Sequence, residues 1–172
     1  LSSSSAASDV YKRQDPALNA APLPRAALAE SPVIITVAPN GAYKKAADHP
    51  AVPMTPDALA QEARACLDAG AGMMHMHVRK PDGSHLLCAH AYREALAAVD
   101  RAVGRELLVQ VTSEAAGVYK AAEQIALVRE LQPEAVSMGL REIAVPDVPE
   151  TELAAFLALS LIHISEPTRQ EA

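Results

Sequence analysis

Apolar residues along this chain follow two spacings. Short runs of aliphatic and β-branched residues occur at 33–38 (VIITVA), 72–78 (GMMHMHV), 106–112 (ELLVQVT) and 134–138 (EAVSM). Between them lie longer Ala-rich stretches whose apolar positions recur every three or four residues. The first kind predicts buried strands and the second amphipathic helices. Thr55-Pro56 predicts an N-cap with proline at the first helical position. Leu59, Ala63, Cys66 and Leu67 then share a helix face, and Gly70 ends that helix. Tyr92 to Val103 predicts a second helix closed by Gly104. Ala121 to Leu131 predicts a third, with Ile125, Leu127 and Val128 as apolar positions, and a further helix begins at Pro149 and runs to about Ala158. Two polar stretches predict loops: from Pro39-Asn40-Gly41 through Tyr43, Lys44, Lys45, Asp48 and His49, and from Lys80 to Ala89.

The resulting order is β-α-β-α-β-α-β-α. Strands separated by helices imply right-handed crossovers and a parallel α/β sheet. Four such units make half of a (β/α)8 barrel, a partial TIM barrel, since the whole fold needs about 250 residues. A complete small doubly wound sheet is the competing architecture, although no Gly-rich phosphate loop follows the first strand. On this reading residues 32–158 carry the half-barrel. Residues 15–31 are an Ala- and Pro-rich lead-in. Residues 1–14 (LSSSSAASDVYKRQ) and 159–172 show neither periodicity and resemble translated adapter sequence, so His163 is set aside as a ligand.

Composition narrows the function classes. Half the chain is hydrophobic but only 3% aromatic, so the core is built from Ala, Val, Leu, Ile and Met. A net charge of −6 argues against a nucleic-acid surface. No apolar run approaches the length of a membrane span. Cys66 and Cys88 form no CxxC pattern, which argues against a disulfide framework and fits a reducing cytoplasm.

The most specific chemistry lies in Gly72-Met73-Met74-His75-Met76-His77-Val78-Arg79. On a strand, alternate side chains share a face. His75 and His77 therefore point one way, and Met74, Met76 and Val78 the other. Two imidazoles on alternate residues can converge on one metal ion. They also sit at the C-terminal end of a strand, beside the turn Lys80-Pro81-Asp82-Gly83, where α/β folds carry their active sites. The alternative is a half-buried pair hydrogen-bonded to its neighbours. Met73, Met74 and Met76 read as core filler. His49, His85 and His90, with Lys44 and Lys45, read as solvated loop or helix-start residues. Glu114 reads as a solvated carboxylate rather than a general base, and Thr112 and Ser137 by themselves read as ordinary strand residues.

Taken together, ITVAPNGA, MTPDALAQEARACLDAGAGMMHMHVR, LLVQVTSE and LQPEAVSM closely resemble the β-keto acid cleavage enzymes over about residues 31–145. The resemblance implies a zinc-dependent (β/α)8 barrel that exchanges a β-keto acid with acetyl-CoA, giving acetoacetate and an acyl-CoA. It implies His75 and His77 as zinc ligands, Thr112 and Ser137 as hydroxyls of the substrate pocket, and an arginine at Arg79 of less defined role. The third zinc ligand of the family, a glutamate, and the rest of its catalytic relay lie in the second half of the barrel. This chain by itself is accordingly expected to be inactive, and the full-length enzyme to be a homo-oligomer. Tyr43 stands where members acting on an amino-bearing substrate carry an acid, and Lys80 where an acid often follows the arginine. Two other readings remain open on the residues alone. An amidohydrolase-type zinc hydrolase also uses His-x-His, usually at the end of the first strand. A non-catalytic metal-binding module is the third.

Overall fold

A computed structural model describes residues 33–158. The flanks read above as non-native (1–14 and 159–172), the lead-in at 15–31 and His163 lie outside the described residues. Residues 34–158 belong to one compact unit.

Four strands form a parallel sheet. They are β1 (Thr36–Val37), β2 (Met73–Met76), β5 (Leu108–Thr112) and β6 (Ala135–Ser137), in the order β1-β2-β5-β6. Helix α1 (Pro56–Asp68) joins β1 to β2, α2 (Ala89–Val103) leads into β5, and α3 (Ala121–Leu131) joins β5 to β6. A parallel sheet taken in chain order with helical crossovers is the arrangement of consecutive strands in part of a TIM barrel. Short helices α4 (Leu140–Ile143) and α5 (Glu150–Leu157) follow β6.

The helices begin and end where local chemistry puts them. Thr55 Oγ1 accepts from the Ala58 N–H at 3.2 Å, and Pro56 needs no partner at the first position. Gly70 and Gly104 leave α1 and α2 with φ of +96° and +60°, which favours glycine. Thr55→Ala is expected to lower the free energy of unfolding by about 1 kcal/mol, read as a lower urea midpoint at unchanged slope.

One face of the sheet is sealed by the helices. Met74, Met76 and Val111 are each fully buried against Leu59 and Ala63 of α1 and Tyr92, Ala95 and Val99 of α2. Helix α1 also packs on α2. A second cluster joins Ile125, Ile143 and Phe156. Met74 and Met76 are thus core filler, as expected, whereas Met73 is only half-buried and lies outside that cluster, on the face it shares with His75.

Several expectations need correction. The first strand was expected over 33–38 but spans only Thr36–Val37, with Ile34 70% and Ile35 55% exposed. Among the described residues β1 has a neighbour on one side only, so nothing covers those side chains. The His strand was expected to run unbroken over 72–78. It stops at Met76 and resumes as β3 (Val78–Arg79), which pairs antiparallel with β4 (His85–Leu86). The stretch Lys80–Ala89, expected as loop, therefore contains a hairpin. Its turn is closed by Gly83 N–H to Lys80 O at 2.8 Å and by Asp82, which accepts from Ser84 N–H and Oγ. Helix α2 also begins a turn earlier than the expected Tyr92, and α4 was not foreseen.

Candidate metal and catalytic site

Strand register sets the site. Parallel pairing places His75 beside Gln110 and Thr112 beside Ser137, while Met76 sits beside Val111. Partners in a ladder face the same way, so His75, Gln110, Thr112 and Ser137 share the face opposite the buried Met76 and Val111. His77 follows β2 at the level of Thr112, at the C-terminal end of the sheet. Alternation thus brings the histidine pair to the same face as Thr112 and Ser137, the two hydroxyls that the family resemblance implied.

The two rings converge. His75 Nε2 and His77 Nε2 lie 3.0 Å apart, with ring centroids 4.9 Å apart and planes at 73°. Gln110 Oε1 accepts from His75 Nδ1 at 2.9 Å. An amide oxygen can only accept, so Nδ1 is the donor, and in the neutral ring the lone pair is then on Nε2. His77 is 2% exposed. Burial, with His75, His85 and Arg79 adding to it, pushes its pKa down to about 3 and keeps the imidazole neutral. Neutral imidazole is the form that binds metals.

Thr112 is buried and Ser137 half-buried, with Ser137 Oγ donating to Thr112 Oγ1 at 3.3 Å. Thr112 Oγ1 also accepts from the Glu114 N–H at 3.0 Å. It keeps its own proton to donate. Tyr92 Oη donates to the Thr112 carbonyl at 3.2 Å and fixes the strand end from behind.

Several residues behave differently from expectation. His85, read as solvated, is 7% exposed because the β3–β4 hairpin folds it back over the site. Its ring centroid lies 5.5 Å from that of His77, and its Nε2 donates to Glu114 O at 2.8 Å. Glu114, read as a solvated loop carboxylate, brings Oε2 to 3.9 Å from His77 Nε2. With His77 neutral this is a contact of a carboxylate with an uncharged ring, not an ion pair. Arg79 is buried, and its guanidinium donates to main-chain carbonyls of Gly83 (2.7 Å), Lys44 (3.0 Å), Asn40 (3.3 Å) and Gly41. Asn40, whose Asn-Gly context signals only a turn, donates from Nδ2 to the carbonyls of His77 (2.7 Å) and Pro53 (3.1 Å). Its Oδ1 accepts from the His77 N–H at 3.1 Å. Nothing in the local pattern announced that contact across 37 residues. His90 is exposed, as expected, and so is His49, whose Nδ1 accepts from the Ala51 N–H.

The sequence pattern of the beta-keto acid cleavage enzyme family matches residues 32–161, most of the chain. This chain belongs to that family. It is similar to the 3,5-dioxohexanoate:acetyl-CoA acetone transferase of Paraburkholderia graminis, 30% identical over 118 residues that cover 63% of this chain and 34% of that protein. It is 37% identical over 67 residues to the 3-keto-5-aminohexanoate cleavage enzyme of Fusobacterium nucleatum, covering 39% of this chain and 25% of that one. A 51-residue segment is 41% identical to the 3-oxoadipate:acetyl-CoA acetyltransferase of Cupriavidus necator, covering 30% and 18%. The chain spans about a third or less of the length of these relatives. In this member of the family the histidine pair comes after one complete strand-helix unit, since β1 and α1 precede β2.

The residues fit a metal ion in part. Two nitrogens bound tetrahedrally at about 2.0–2.1 Å lie roughly 3.3 Å apart, close to the 3.0 Å between the two Nε2 atoms. Among the described residues no group of three His, Cys, Asp or Glu side chains is placed to hold a metal. A catalytic zinc takes three protein ligands and an open position. No helix of the described residues is long and apolar enough to cross a membrane.

Proposed function

We propose that this chain carries the first part of the active site of a zinc-dependent β-keto acid cleavage enzyme, which exchanges a β-keto acid with acetyl-CoA to give acetoacetate and an acyl-CoA. The observation that carries the reading is the convergence of His75 and His77 through Nε2 at the C-terminal end of the sheet, beside the Thr112–Ser137 hydroxyl pair. The names of two relatives, both transferases acting with acetyl-CoA, support the substrate class.

Cleaving a carbon–carbon bond next to a ketone develops negative charge on oxygen, which a bound zinc ion stabilises as a Lewis acid. His75 and His77 would hold that ion. Gln110 engages His75 Nδ1, which would leave the Nε2 lone pair of the neutral ring free to hold the ion. Thr112 donates its free proton to a carboxylate or keto oxygen of the substrate, steadied by Ser137 and by the Glu114 amide. Glu114 stands close enough to His77 to take part in proton movement at the same mouth. The third protein ligand comes from outside the described residues, and these residues by themselves do not turn over substrate. Free thiols at Cys66 and Cys88 suit a reducing compartment such as the cytoplasm, and the family resemblance is what supports a homo-oligomer for the whole enzyme.

Zinc titration followed by the NMR signals of the histidine rings tests the metal half of this reading. His75 and His77 should shift together, and shifts confined to exposed His49 or His90 would sink it. The reaction is tested on the protein extended to the length of its relatives and assayed for acetoacetate formed from acetyl-CoA and a panel of β-keto acids. Hydrolytic turnover without CoA would point to the amidohydrolase-type reading instead.

A further inference from the structure

We infer that Asn40 is a positioning residue for His77, acting through the main chain, and that Arg79 holds Asn40 in place. The inference rests on the reading of His77 as a metal ligand. A metal-binding histidine is ordinarily oriented by a hydrogen bond from its second ring nitrogen. His75 follows this rule through Nδ1 and Gln110. His77 does not, because its Nδ1 is buried with no hydrogen-bond partner among the described residues. Its ring direction has to come from the backbone instead.

The backbone at His77 is itself unusual. The residue falls in the gap between β2 and β3, where the parallel ladder has ended and the antiparallel one has not begun. Asn40 fills that gap. Its side-chain amide binds both main-chain groups of His77, as a neighbouring strand would, and a third bond to Pro53 O ties it to the segment before α1. Asn40 is 4% exposed, so water does not replace these bonds easily. Arg79, two residues beyond His77, closes the arrangement. Its planar fork gathers the carbonyls of Asn40, Gly41 and Lys44 on one side and Gly83 on the other. The β1 loop and the hairpin after His77 are thereby locked to each other, and the ring between them points at His75.

The test uses the 172-residue chain as wild type, Asn40→Ala, Asn40→Ser and Thr55→Ala. Thr55→Ala removes a helix cap and so destabilises the chain without touching His77. Two quantities are read: exchange of the His77 amide relative to the amides of α2, and the zinc dissociation constant from the shifts of His75 and His77. Asn40→Ala should speed His77 exchange at least about tenfold and weaken zinc about 10–100-fold, the range for groups that orient a ligand. Asn40→Ser leaves a hydroxyl that can serve one of His77's two main-chain groups, so its losses should be intermediate. It decides the matter if the alanine variant does not fold. Thr55→Ala should change neither quantity beyond about twofold. Unchanged His77 exchange in the Asn40 variants, or an equal zinc loss in Thr55→Ala, would overturn the inference. If the wild type binds no zinc at His75 and His77, the metal reading fails, and the exchange of the His77 amide still decides the positioning.

Discussion

Replacing His77 with alanine is expected to weaken zinc binding by more than about 100-fold while the chain stays folded. Substitutions that merely reorient a metal ligand already cost about 10–100-fold, and this one removes the ligand. The ring is buried and already aimed at its partner, so binding needs little movement of the ring beyond removal of the proton between the two Nε2 atoms. His75→Ala should behave alike. His85→Gln should not, because His85 Nε2 is committed to the Glu114 carbonyl although the ring lies beside His77. Isothermal titration of zinc into the three variants checks this. In the extended enzyme the two His→Ala variants should also lose acetoacetate formation. Zinc affinity within tenfold of wild type in His77→Ala would remove the basis for the metal site, and equal loss in His85→Gln would mean that three histidines bind rather than two.

The largest expected loss of stability comes from Tyr92→Ala. Tyr92 is completely buried in α2, and its hydroxyl donates to the carbonyl of Thr112. Burial drives the phenol well above its ordinary pKa, so it stays protonated and remains a donor. Removing a buried aromatic ring costs about 3–5 kcal/mol. The Thr112 carbonyl would lose its partner as well, against a total stability of about 5–15 kcal/mol for a domain. With so few aromatic residues in the chain, neighbouring side chains have little bulk with which to fill the gap. Tyr92→Phe should cost only about 1 kcal/mol, since the ring remains. Urea unfolding of both variants separates the two contributions. A loss below about 1 kcal/mol in Tyr92→Ala would show that this part of the core is not packed as described.

Local pattern determined much of this protein. Thr55-Pro56 at one end and Gly70 at the other bounded α1, because capping and left-handed exits depend on adjacent residues alone. Alternation at 73–77 determined that His75 and His77 face together, away from Met74 and Met76, because strand geometry has a period of two whatever surrounds it. The motifs shared with the β-keto acid cleavage enzymes identified the family from those same residues. What needed the tertiary structure were contacts between residues distant in sequence. His85 and Glu114 look solvated in their own segments, and only the hairpin at 78–86 and the end of β5 bring them to His77. The first strand looked as apolar as any other, yet its length depends on having neighbours on both sides. Asn40 reads as a turn residue, but its side chain binds the backbone of His77 because the sheet ladder breaks there and leaves two buried polar groups to be satisfied. Sequence carries the direction of a side chain on its element. Folding decides which distant groups complete its hydrogen bonds.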